Sequence, residues 1–227
     1  MKSRTDGGFG VIFDMDDVLV DSNKIIWNSF NKLLEPFKIH LSNNDIKQRL
    51  GNSLRDNINI WNKKHKLTLN LEEFSKKSWG IQLRSLEKMD VDKNLIALLE
   101  TLKSNKILMG VGTSSQKFRA DKILDILKIK DYFSAVITAS DIINHKPNPD
   151  LFLEAAKRLG IPPEKCIVIE DAESGIEATK RGNMKSIGLL TKYNSKNNFD
   201  KADLIIKDFS ELSYDKLKNL IQTKNAG

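Results

Sequence analysis

The sequence predicts an α/β fold: a doubly wound parallel sheet carrying an inserted helical domain. Three observations predict it. Apolar runs of strand length recur at 9–13, 107–112, 134–139, 166–170 and 185–190,. Amphipathic stretches with helical spacing separate the later runs, and near-continuous apolar strands alternating with helices imply a parallel sheet covered on both faces. The interval between the first two runs is far longer than one crossover helix needs.

Phe9 to Phe13 forms the first predicted strand and ends at Asp14 and Asp16. The long interval then reads as helices over Ser22 to Leu34, closed by Pro36, over Asn43 to Leu50, closed by Gly51, over Ser53 to Lys66, and over Leu71 to Lys88,. Trp27, Trp61 and Trp79 all lie here, as aromatic anchors of a small helical core,. Lys93 to Asn105 places Leu95, Leu98, Leu99 and Leu102 on one face, and Lys117 to Ile129 does the same with Ile123, Leu124 and Leu127,. Leu151 to Leu159 is a further amphipathic segment, Tyr193 to Phe199 a polar loop, and Thr223 to Gly227 a frayed tail,. The expected domains are therefore a core of residues 1–21 and 89–227 and a helical insertion of residues 22–88.

With 227 residues and 40% hydrophobic content, the chain is long enough for one full core and a smaller attachment,. The single cysteine, Cys166, sits inside an apolar run, so no disulfide framework is expected and a reducing cytoplasm fits,. No apolar stretch approaches the roughly twenty residues of a membrane span, and Met1-Lys2-Ser3-Arg4 leads into no hydrophobic signal core,. The net charge of +7 is spread over scattered lysines rather than gathered in one stripe with interleaved aromatics, which argues against nucleic acid,. A positive field of this kind suits a small phosphorylated metabolite.

The polar residues that end the apolar runs carry the chemistry. Asp14 and Asp16 follow the first run, Thr113-Ser114-Ser115 the second, Lys146 in Lys146-Pro147-Asn148-Pro149-Asp150 comes shortly after the third, and Glu170-Asp171 ends the fourth. Ligands of open parallel sheets bind at the carboxyl ends of the strands, so these groups fall on one edge. Either acidic pair alone is explained by turn formation and helix capping. Two pairs, a hydroxyl cluster and a lysine together are not, and converging carboxylates call for a cation. Asp21 with Ser22 reads as an ordinary helix cap, and His40, His65 and His145 make no recognisable ligand set.

The chain resembles the haloacid dehalogenase superfamily, in its β-phosphoglucomutase-like branch with a helical cap. Phe13-Asp14-Met15-Asp16-Asp17-Val18-Leu19-Val20-Asp21-Ser22 matches the first family motif, Thr113-Ser114-Ser115 the second, Lys146-Pro147-Asn148-Pro149-Asp150 the third and Glu170-Asp171-Ala172-Glu173-Ser174-Gly175 the fourth. The resemblance implies a Rossmann-like core with a cap and a Mg²⁺-dependent phosphatase acting on small phosphomonoesters through an aspartyl phosphate. It implies Asp14 as nucleophile, Asp16 as general acid and base, and Mg²⁺ held by Asp14, Asp171 and the backbone carbonyl of Asp16, with Glu170 orienting a metal-bound water. Thr113, Ser114, Ser115 and Lys146 would hold the phosphoryl group. A cytoplasmic monomer without nucleic-acid or membrane partners is expected.

Two departures from the family pattern bear on these expectations. Asp17 stands where most members have Gly, at a position that often calls for positive φ; Asp tolerates that conformation better than most residues. The mutase branch carries a His about twelve residues after the nucleophile and an Arg after Gly-x-Ser in the cap. Here those places hold Ile26 and, after Gly51-Asn52-Ser53, Leu54, with Arg55 adjacent as a candidate substitute for substrate binding. Hydrolysis is expected over the alternative of phosphosugar isomerisation.

Overall fold

The computed structural model describes residues 8–47 and 54–223. In chain order the elements are β1 (Gly10–Phe13), α1 (Ser22–Leu34), α2 (Asn43–Lys47), α3 (Leu54–His65), α4 (Leu71–Leu86), α5 (Lys93–Ser104), β2 (Leu108–Gly112), α6 (Lys117–Ile126), β3 (Ala135–Ile137), α7 (Asp150–Leu159), β4 (Cys166–Glu170), α8 (Glu173–Arg181), β5 (Lys185–Leu189), β6 (Leu204–Ile206) and α9 (Tyr214–Gln222). They divide into two compact units, one holding the chain up to Val20 and from Asp90 onward, the other Asp21–Met89.

The first unit is a six-stranded sheet of order β3-β2-β1-β4-β5-β6, with every pairing parallel. The order grows outward from β1 in both directions, so the sheet is doubly wound as expected. Successive strand residues face opposite sides, and both sides of β1 are dry: Val11, Ile12 and Phe13 are fully buried. Ile12 and Val168 join Leu151, Phe152, Ala155 and Ala156 of α7 in one apolar cluster, while Val11, Phe13, Ile167 and Ile169 alternate to the other face.

The predicted strands are present, 166–170 with the bounds expected and the other four shortened by one or two residues at an end, where hydrogen bonding stops before the apolar run does,. Three elements were not anticipated. β6 is three residues long, Leu204-Ile205-Ile206 between Asp203 and Lys207, too short to show a period. α8 and α9 are short helices whose charged faces hide few apolar positions, with Leu217 the buried anchor of α9.

The second unit is helical. α1 begins at Asp21, whose Oδ1 accepts from the Lys24 amide at 3.2 Å, the capping role read from the sequence. Trp27 stacks edge-on to Phe30, with ring centroids 5.3 Å apart, and Phe30 and Phe74 close around the fully buried Trp61. Trp27 and Trp61 are thus core anchors, and Trp79 is half-buried. The helix expected to run from Asn43 to Leu50 is described only as far as Lys47; Gly51-Asn52-Ser53 lies outside the described residues. None of the helices among the described residues is long and apolar enough to cross a membrane.

Phe152 supports the sheet directly under the edge that carries the polar residues. It is fully buried, and Gly112 of β2 lies so close that an added Cβ there would meet its ring at 3.1 Å. Phe152→Ala is expected to cost about 3–5 kcal/mol through lost burial and the cavity left behind. A chemical-denaturation midpoint that hardly moves would contradict this packing.

Candidate active site

Strand register places the site. Phe13 pairs with Val111 of β2 and with Ile169 of β4, so Asp14 leaves β1 level with the ends of both neighbours. Its amide still donates to the Ile169 carbonyl at 2.9 Å, and the Thr113 amide donates to the Ile137 carbonyl at 2.9 Å. Asp14, Thr113 and Glu170 therefore share the carboxyl edge of the sheet. Thr113 is fully buried, and its Oγ1 accepts from the Ser115 amide at 3.0 Å. Ser114 is exposed.

Lys146 reaches this edge from the connection between β3 and α7, where the Lys146–Pro147 peptide is cis. Its Nζ donates to Asp14 Oδ1 and to Glu170 Oε1, each at 2.5 Å. All three groups are nearly dry, with side chains 10%, 8% and 1% exposed for Lys146, Asp14 and Glu170. The ammonium also lies 4.9 Å from the centre of the Phe152 ring. Glu170 uses its second oxygen to accept from the Ala172 amide at 2.6 Å.

The glycine of the fourth motif makes room for this. A Cβ on Gly175 would sit 1.7 Å from Glu170 Oε1 and 2.0 Å from its carboxyl carbon, distances no side chain survives. Gly175 is needed for the absence of a side chain, so that α8 can start against the buried carboxylate.

The electrostatics are those of crowded carboxylates. Burial raises the Asp14 pKa to about 7; Lys146 opposes the rise, and Glu170 and Asp16 reinforce it. Asp171 is raised further, to about 9, by burial and then by Glu170, Asp14 and Asp17. Lys146 is moved upward: although burial disfavours the ammonium, Asp14 and Glu170 together hold its proton. The Asp171 backbone is fixed from the loop after β5. Asn194 Nδ2 donates to the Asp171 carbonyl at 2.8 Å and to the Leu189 carbonyl at 3.0 Å, while its Oδ1 accepts from the Thr191 amide at 2.8 Å.

Asp16 has a cation of its own. Arg119 Nη1 donates to Asp16 Oδ1 at 2.8 Å, to Oδ2 at 3.1 Å and to Ser115 Oγ at 2.6 Å. Ser115 Oγ in turn donates to Asp16 Oδ2 at 2.7 Å. The turn that presents Asp16 is closed by the Asp17 amide on the Val20 carbonyl at 2.7 Å, and Asp17 has φ +58°, the left-handed conformation that Asp tolerates better than most residues,.

The structure thus brings Asp14, Lys146 and Glu170 into direct contact, joins Asp16 to Ser115, and sets Asp171 within electrostatic reach of Asp14 and Glu170. Arg55 lies on α3 in the helical unit and is exposed. Arg119, Asn194 and Gly175 were missed as individual contributors. Arg119 follows Ser115 by four residues into α6, a helical spacing that marks it as a neighbour of the hydroxyl cluster. Asn194 sits in a stretch that the sequence marks only as a polar loop.

Among the described residues, no three His, Cys, Asp or Glu side chains close in as a ready-made metal cage. The donor set nevertheless suits a hard cation. It is made of oxygens alone, and Asp14 is close enough to raise the pKa of Asp171, a repulsion that a divalent cation relieves,.

The chain matches the family model described as haloacid dehalogenase-like hydrolase over residues 11–189. It is 28% identical over 178 residues to the phosphorylated carbohydrates phosphatase of Thermotoga maritima, covering 78% of this chain and 82% of that protein. It is 30% identical over 216 residues to the β-phosphoglucomutase of Bacillus subtilis, covering 91% and 92%. Its fold superposes on the crystal structure of β-phosphoglucomutase from Clostridium difficile with a TM-score of 0.75 at 26% identity, covering 93% of this chain and 96% of that one. With a family match spanning most of its length and four motifs along one sheet edge, the chain belongs to the haloacid dehalogenase-like hydrolases, in the branch that includes β-phosphoglucomutase.

Proposed function

We propose that this protein is a Mg²⁺-dependent phosphatase that hydrolyses small phosphomonoesters, sugar or polyol phosphates, through an aspartyl phosphate on Asp14. The observation that carries the reading is the buried Lys146 ammonium bonded to both Asp14 and Glu170 at the strand edge. It is supported by relatives named for phosphatase activity on phosphorylated carbohydrates, fructose 1-phosphate and hexitol phosphates.

In this reading a carboxylate oxygen of Asp14 attacks phosphorus, and the bond to the substrate oxygen breaks with its electron pair on that oxygen. Asp16 gives its proton to the departing alkoxide and then removes one from the water that attacks the phosphorylated Asp14. Lys146 stays charged throughout, oriented by Glu170, and faces the negative charge on the phosphoryl oxygens. Thr113, Ser114 and Ser115 receive those oxygens. Asp14, Asp171 and the Asp16 carbonyl would hold Mg²⁺, which when bound offsets charge on the transferring group. Buried Cys166 suits a cytoplasmic enzyme, and the reading takes it as a monomer with no macromolecular partner.

A mutase is the second reading, favoured by the 30% identity to β-phosphoglucomutase across nearly the full length of both chains. Half-buried Ile26 on α1 and Leu54 on α3 argue against it, since neither side chain grips a sugar by hydrogen bonds. Incubation with β-glucose 1-phosphate, with and without glucose 1,6-bisphosphate, separates the two. The phosphatase reading expects Mg²⁺-dependent release of inorganic phosphate that needs no bisphosphate. In Asp14→Asn that release should fall below about one per cent of wild type. Activator-dependent formation of glucose 6-phosphate with little free phosphate would establish the mutase, with Arg55 as the first residue to test.

Metal and pH should be linked. A carboxyl whose folded pKa is raised holds its proton more tightly in the folded state. Its contribution is therefore complete below the unfolded value of about 4 and is lost as pH rises through the folded value. For Asp14 and Asp171 that window ends at about 7 and about 9. The metal-free protein should lose stability across it, and the rise in melting temperature produced by Mg²⁺ should be larger at pH 8 than at pH 5. An equal rise at both would remove these carboxylates from the metal site.

Gly175→Ala tests the cradle around Glu170. Overpacking there should destabilise the fold by about 1–3 kcal/mol. Displacing Glu170 from Lys146 should slow phosphate release about a hundredfold, the usual cost of an ångström-scale misplacement. Wild-type rates in Gly175→Ala would show that Lys146 does not need its second carboxylate.

A further inference from the structure

We propose that Arg119 is a positioning residue that, together with Ser115, locks the Asp16 carboxylate into the orientation from which it exchanges protons. The inference rests on the phosphatase reading above, which gives Asp16 that task. Its basis is a closed ring of contacts among three side chains: Arg119 Nη1 to both Asp16 oxygens at 2.8 and 3.1 Å, Arg119 Nη1 to Ser115 Oγ at 2.6 Å, and Ser115 Oγ to Asp16 Oδ2 at 2.7 Å.

The physical case is one of geometry. Asp16 lies in a turn, and its side chain is 34% exposed; without an anchor it would sample several rotamers. Lys146, the cation of the buried cluster, is committed to Asp14 and Glu170. Arg119, only 17% exposed, approaches from the first turn of α6, a rigid support, and contacts both carboxylate oxygens through one nitrogen. An ion pair partly open to water adds little to stability. Its worth lies in fixing a reacting group, because a proton donor must stand within hydrogen-bond reach of the atom it serves.

The role has a signature in the leaving group. In the first step the bond from phosphorus to the ester oxygen breaks, and an alkoxide takes the Asp16 proton, whereas p-nitrophenolate departs unprotonated. In the second step every substrate shares the same phospho-Asp14, and Asp16 takes the proton of the attacking water. Arg119→Met should therefore slow steady-state release from an alkyl phosphate such as glycerol phosphate about ten- to a hundredfold. With p-nitrophenyl phosphate the first step should change less than about threefold, so a burst of nearly one p-nitrophenolate per active site appears before a slow steady state. Arg119→Lys keeps the charge and should recover part of the alkyl rate.

Stopped-flow measurements on wild type, Arg119→Met, Arg119→Lys and Asp16→Asn decide the matter, with denaturation midpoints confirming that each variant is folded. Asp16→Asn showing the burst and Arg119→Met showing a weaker copy of it supports the proposal. If Asp16→Asn gives the signature while Arg119→Met behaves as wild type, or slows the first step equally for both substrates, Arg119 is not positioning Asp16 and the phosphatase reading stands. If Asp16→Asn itself lacks the signature, the acid–base assignment falls and this proposal falls with it.

Discussion

The site depends on one buried ammonium. Parallel pairing of β1 with β4 brings Asp14 and Glu170 side by side at the end of two central strands, where burial removes the water that would have screened them. Two dry carboxylates in that position repel each other, and Lys146 at 2.5 Å from each is what allows both to stay. Such a group is poor evidence for stability, because the desolvation of three charges offsets most of their attraction. Its value is orientation: the ammonium has one place to be, and both carboxylates are turned to meet it.

Much of the surrounding structure serves that arrangement. The Ala172 amide fixes the far oxygen of Glu170, and the bare Cα of Gly175 leaves the volume the carboxylate occupies. Phe152 closes the floor beneath the ammonium. Charge is then distributed by partner: Lys146 serves Asp14 and Glu170, Arg119 serves Asp16. Asp171, which makes no ion pair among the described residues, is left with the most strongly raised carboxyl of the cluster. The raised Asp171 carboxyl, crowded by Glu170 and Asp14, is where the proposed Mg²⁺ would add positive charge,.

The parts of this that were legible in the sequence are those set by local pattern. Apolar runs mark β1 to β5, and the polar residues that end them mark Asp14, Thr113, Lys146 and Glu170, because in a parallel sheet the carboxyl ends of strands share an edge whatever their order. Asp21 was legible as a cap and Trp61 as a core anchor for the same local reasons. β6 was not, since three residues carry no period. Arg119 and Asn194 were not, since each acts across the fold on a partner that only the sheet order brings near. Gly175 belonged to a recognisable motif, but its reason is a distance to Glu170 that no spacing encodes.

The position of β1 has a consequence for how the chain is made. β1 is made before both of its neighbours and lies in the middle of the sheet, where Gly10 pairs with Leu108 on one side and with Cys166 on the other. Until those segments are synthesised, an apolar strand has both edges unsatisfied. The helical unit Asp21–Met89 makes internal contacts of its own, and its sequence is complete before the partners of β1 are made. Non-local pairing of this kind is slow and exposes aggregation-prone edges. The central strand that organises the finished active site thus has its edges satisfied only once the chain has reached β4.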